Sequence, residues 1–73
     1  MNLLEATDEE LQHGLRFLSQ EISWGKSWAD HYEQRAETRW MGALVRKANL
    51  AHQELFDAHL AELNRRNTTL QVL

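Results

Sequence analysis

The 73-residue sequence contains no cysteine, no proline and only three glycines. Without cysteine there is no disulfide to staple a small fold and no thiolate to hold a metal or attack a substrate. Without proline, and with plentiful Ala, Leu, Glu, Gln and Arg, helix is expected nearly throughout. Long apolar runs are missing too. The longest, Trp40 to Val45, has six residues, against the roughly 20 that cross a bilayer. The N-terminus has no basic segment followed by an apolar one, so neither a signal peptide nor a membrane role is expected, and a cytoplasmic location is.

Large apolar residues are also few. The apolar fraction is 42%, but eight of those residues are Ala and only 17 are Leu, Ile, Val or Phe. A chain of this size draws no more than about 3–5 kcal/mol from one unstapled core. Self-association is the expected compensation. The net charge of −3 is unevenly distributed. Residues 1–24 carry five acids against Arg16, while residues 25–49 carry five bases against three acids, so the two segments attract if the chain folds back.

What is present points to an all-α antiparallel helical hairpin. Thr7 and Glu10 have capping-box spacing, with Asp8 and Glu9 in the first turn to meet the helix dipole. Leu11, Leu15, Leu18 and Ile22 then fall on one helical face. Gly25 has the character of a helix-terminating residue and Ser27 that of the next N-cap. The reading is therefore a short helix over about 8–23, a turn at 24–27 and a long helix over about 28–65, the latter roughly 57 Å in length. Facing positions would then sum to about 51, setting Ile22 on Ala29, Leu15 on Ala36 and Leu11 on Trp40. The alternative is one helix from 8 to about 38 with a break near Gly42, which the series 11, 15, 18, 22, 25, 29, 32, 36 permits. The chain is expected to be a single domain over 1–73, with 66–73 as a flexible tail.

In the preferred register the second helix outruns the first. Its stripe Leu44, Ala48, Ala51, Leu55 and Ala58 would lie open, and soluble monomers avoid such a patch. These five residues are the expected dimer interface, covered by an antiparallel second copy in a helical bundle. A three-helix monomer bent at Gly42 or Asn49 is the alternative.

No catalytic constellation emerges. Glu10 and His13 share the Glu-x-x-His spacing of di-iron bundles, but no second such pair exists, and His52 and His59 stand too far apart along a helix to share an ion. No metal and no cofactor are expected. Ser19, Ser23 and Ser27 lack a nucleophile elbow. Gly25-Lys26-Ser27 ends like a phosphate-binding loop, but Gln20 occupies the position of the required first glycine. Asn67-Thr68-Thr69 matches a glycosylation sequon and is read as incidental. The residues that stand out are an aromatic and basic stripe, Trp24, Trp28, Tyr32, Arg35, Arg39 and Arg46, gathered on one side if they share a helix. Trp, Tyr and Arg are enriched at interface hot spots. Trp28, Tyr32, Arg35, Arg39 and Arg46 are the expected partner-binding set. The functional expectation is a non-enzymatic, homodimeric interaction module that binds and obstructs a larger protein. Binding of nucleic acid by the arginines is the alternative, weakened by the acidic net charge, and a small metal-binding helical bundle using Glu10, His13 and His52 or His59 ranks behind it.

Overall fold

The structure, a computed structural model, describes residues 2–72 of the backbone and the side chains of residues 2–67. Among the described residues it is all helix, and two long helices pack against each other as an antiparallel hairpin. A short 3-10 turn, Leu3–Glu5, precedes helix α1, Asp8–Glu33; a second 3-10 turn, Ala36–Thr38, leads into helix α2, Arg39–Val72. The hairpin measures 56 × 20 × 15 Å.

The start of α1 is the one expected. Thr7 Oγ1 accepts from the Glu10 amide at 3.1 Å, and the Glu10 carboxylate accepts from the Thr7 amide at 2.9 Å. That reciprocal pair satisfies two amides that a helix start leaves open. The end of α1 is not the one expected. The helix runs through Gly25 and Ser27 without interruption and stops at Glu33, ten residues beyond the end expected at about 23. The reversal takes place over residues 34–38. Arg35 is extended there, and the Thr38 hydroxyl donates to the Tyr32 carbonyl at 2.6 Å, closing the helix end. No residue of the reversal has positive φ, so it needs no glycine.

The three glycines serve the contact between the helices instead. A Cβ on Gly42 would meet the Ala29 carbonyl oxygen at 3.1 Å and Glu33 Cγ at 2.7 Å. A Cβ on Gly25 would meet Asn49 Oδ1 at 2.9 Å. Small residues at these heights let the backbones approach more closely than side chains would allow. The His59 ring lies likewise over Gly14.

Facing positions therefore sum to about 74 rather than 51, as Gly14–His59, Gly25–Asn49 and Asp8–Arg66 show. The supposed short helix of 8–23 and long helix of 28–65 give way to two of more equal length, about 39 and 51 Å. Ile22 and Ala29 share one helix, Ala36 sits in the reversal, and Trp40 is 63% exposed rather than packed on Leu11. The α1 seam is nonetheless the seven-residue series noted for the continuous-helix alternative. Leu11, Leu18 and Ala29 are buried, and Leu15, Ile22, Gly25 and Tyr32 are half-buried. Its counterpart on α2 is Gly42, Val45, Asn49, His52, Phe56, His59, Leu63 and Arg66. That seam is half polar, and among the described residues the buried apolar core reduces to Ala6, Leu11, Leu18 and Ala29.

The ends of the two helices are tied by ions. Arg66 donates to Asp8 at 2.8 Å, to Glu62 at 2.9 Å and to the Leu3 carbonyl at 3.0 Å, holding the N-terminal turn against α2. α2 continues to Val72. The expected tail of 66–73 falls mostly on residues whose side chains lie outside the described set.

Candidate interaction surfaces

Because the reversal lies at 34–38, the aromatic and basic stripe does not form one helix face. Trp24, Trp28 and Tyr32 belong to α1, Arg35 to the reversal, and Arg39 and Arg46 to α2. The stripe shares a single helix only if Gly25 ends α1.

Arg46 has an intramolecular task. Its guanidinium donates to Asp30 at 2.7 Å and to both oxygens of Glu33, the longer of those bonds being 2.9 Å. The bonds to Glu33, then to Asp30, raise the Arg46 pKa further. In return the hydrogen bond from Arg46, with smaller help from the charges of Arg46 and Arg39, holds the Glu33 carboxyl below its usual range. Arg35 and Arg39 stay exposed beside the reversal, as does Trp40. Trp28, His31 and Tyr32 form an aromatic cluster on the last turns of α1. Trp28 stacks on Tyr32 with ring centres 5.8 Å apart, and His31 meets both rings edge-on. The i, i+3 and i, i+4 spacing brings these rings together.

The five residues expected at a dimer interface, Leu44, Ala48, Ala51, Leu55 and Ala58, are all exposed. Leu44 is 56% exposed and Leu55 50%. They are open for a different reason than the sequence suggested. α1 does run alongside most of α2, but it packs on the neighbouring seam of Gly42, Asn49 and Phe56.

A shallow groove between the helices joins this stripe to the tryptophans. It is lined by Glu21, Trp24 and Trp28 from α1 and by Val45, Ala48 and His52 from α2. Trp24 and Trp28 are 60% and 54% exposed, and Phe17, one heptad before Trp24, is 55% exposed. Phe17 and Glu21 are not among the residues expected to bind a partner. The signal that finds them is the spacing 17, 21, 24, 28, a second seven-residue series beside the one that faces α2. The opposite side of the hairpin carries Lys26, Glu33, Arg46, Lys47 and Leu50, and is dominated by the Arg46 ion pairs.

At the far end Glu9, Glu10, His13, Gly14 and His59 border an open depression. His59 Nδ1–H donates to the Leu55 carbonyl at 2.6 Å, since a carbonyl can only accept. Hydrogen bonds to the backbone and hydroxyl of Thr7 lower the Glu10 pKa and engage its carboxylate in the helix cap. Among the described residues no three His, Cys, Asp or Glu side chains gather around a point that could hold a metal. Among the described residues no helix is long and apolar enough to cross a membrane.

Comparison with family models, with curated proteins and with solved structures gave no match for this chain.

Proposed function

We propose that this chain is a non-enzymatic protein–protein interaction module that works as a homodimer and docks on a larger protein, obstructing the surface it covers. The observation that carries this reading is the inverted distribution of its apolar residues. Among the described residues, nine large apolar side chains, Trp24, Trp28 and Trp40 among them, are exposed by 41% or more, while the buried apolar core is two leucines and two alanines. Phe17, Trp24 and Trp28 lie beside the open stripe from Leu44 to Leu55, and a contiguous apolar patch of that kind marks a binding face. The reversal adds chemistry suited to a partner. Trp40, Arg35 and Arg39 stand exposed within six residues of one another, and Trp and Arg are residue types that dominate binding energy where they are desolvated.

The test is capture by the immobilised chain from cells in which it naturally occurs, with the captured proteins identified by mass spectrometry. The wild-type chain is expected to retain a specific larger protein, and Arg39→Glu to lose it with helical circular dichroism intact. Unchanged capture by Arg39→Glu removes the reversal from the interface. Failure of the wild-type chain to retain any protein removes the module reading itself.

A further inference from the structure

We infer that the groove between Trp24, Trp28 and Ala48 is covered by the same groove of a second copy, the two hairpins stacking face to face with their reversals at the same end. This rests on the interaction-module reading and names the first partner of that apolar face.

The exposed area sets the need. The chain exposes 5806 Å², whereas a compact monomer of 8.6 kDa exposes about 4,700 Å². The excess of about 1,100 Å² compares with the roughly 800 Å² that each partner gives to a stable interface.

The pattern of the face identifies the occupant. Each helix carries two adjacent seven-residue seams, one used inside the hairpin and one open. Helices with two seams belong to bundles in which every helix has two neighbours. The open seam of α1 is large, with Phe17, Trp24 and Trp28, whereas that of α2 is mostly small, with Ala48, Ala51 and Ala58 among its members. Such a face complements itself when one half is turned onto the other, as a two-fold axis does.

Side-chain size and height choose between the two ways of stacking. A two-fold axis parallel to the helices sets α1 of one copy over α2 of the other, the bulky seam on the small one. The perpendicular axis would set α1 on α1, bringing the two aromatic seams together. With the parallel axis, residues at equal height meet across the interface, and equal height means numbers summing to about 74. Trp24 then lies over Ala51, Phe17 over Ala58 and Trp28 over Ala48 or Leu44. Each bulky ring thus meets an alanine or leucine position, the alternation that lets layers interdigitate. The two reversals end side by side, leaving Arg35, Arg39 and Trp40 of both copies at one end.

The experiment combines mass with distance. By sedimentation equilibrium at micromolar concentration the wild-type chain is expected at about 17 kDa, twice its 8.6 kDa. Ala51→Glu, on the open seam, is expected near the monomer mass. Leu50→Glu, an exposed position on the opposite side, is expected to stay at the dimer mass. Because the chain has no cysteine, Gln34→Cys carries a single nitroxide in the reversal. Pulsed dipolar spectroscopy is expected to give a distance comparable to the 20 Å width of the hairpin. A wild-type mass of 8.6 kDa overturns the inference, as does a dimer that survives Ala51→Glu or dissociates with Leu50→Glu. A label distance near the 56 Å length overturns the same-end arrangement. Should Ala51→Glu fail to fold, the wild-type mass and the label distance still decide. A monomeric chain that nevertheless captures a larger protein removes the second copy, and the homodimer with it, and leaves the docking on a larger protein standing.

Discussion

Asn49 of α2 is lodged against Gly25 of α1. A Cβ at residue 25 would stand 2.9 Å from both Cγ and Oδ1 of Asn49, whose Nδ2 donates to the Ile22 carbonyl at 3.1 Å. Asn49 is 6% exposed, and its Oδ1 is buried without a hydrogen-bond partner among the described residues. A buried amide with one unmet acceptor costs stability against an apolar residue. In helical seams such a residue is retained where it fixes the alignment of two helices.

The pair gives a double-mutant prediction. Alone, Gly25→Ala gains the helix propensity of alanine, up to about 1 kcal/mol. It forces a methyl group into Asn49, an overpacking that costs about 1–3 kcal/mol, so net destabilisation is expected. In an Asn49→Ala background the obstacle is gone, and the same Gly25→Ala change is expected to stabilise. Urea unfolding of the four chains measures the cycle. Equal effects of Gly25→Ala in both backgrounds would show that the two residues do not touch.

Acid should loosen the helix ends in a defined window. Hydrogen bonds from Arg65, then Arg66, hold the Glu62 carboxyl at about 2 against its ordinary 4.5. A carboxyl whose pKa is depressed on folding stabilises fully above its unfolded value and loses that contribution as pH falls through the folded one. Glu33 and Glu10 are depressed in the same direction, by Arg46 and by Thr7. The melting temperature is expected to fall between pH 4.5 and 2, and Glu62→Gln is expected to flatten that fall. An unchanged slope in the variant would separate Glu62 from acid sensitivity.

Arg66 should govern the N-terminal turn. It is the link between Glu62, Asp8 and the Leu3 carbonyl, with its side chain 19% exposed. Arg66→Ala is expected to speed hydrogen exchange at the amides of Glu5 and Ala6, which donate within that turn, while exchange at Leu18 in the middle of α1 stays as it was. Equal acceleration at Leu18 would mean that the whole hairpin, and not its end, depends on Arg66.

The all-helical hairpin, the Thr7 capping box and the seam from Leu11 to Tyr32 were legible in the sequence because each depends on local spacing. The place of the reversal was not. Gly25 followed by Lys26 and Ser27 offers the chemistry of a helix stop, but the signal is ambiguous. The same missing Cβ that permits a turn also permits two helices to touch, and only the partner across the contact, Asn49, distinguishes the cases. The actual reversal at 34–38 uses Arg35 in extended geometry and the Thr38 hydroxyl, which no residue type announces. That single displacement propagated. It merged residues of two helices into one stripe and hid the ion pairs of Arg46, which need Asp30 and Glu33 on the other helix. The open stripe from Leu44 to Ala58 was recognised even so, because its spacing lies within α2 alone.

Glycines matched to side chains on the opposite helix also divide the chain by its tolerance to changes of length. Gly14 with His59, Gly25 with Asn49 and Gly42 with Ala29 act as three notches cut at fixed heights. One residue inserted within α1 or α2 rotates everything beyond it by about 100° and raises it by about 1.5 Å, so a notch beyond the insertion would present a side chain where a gap is needed. Residues added at 34–38 lie outside every notch and move none of them. Natural variation in length should therefore gather in those five positions, and a tag or probe placed there would leave the two helices in step.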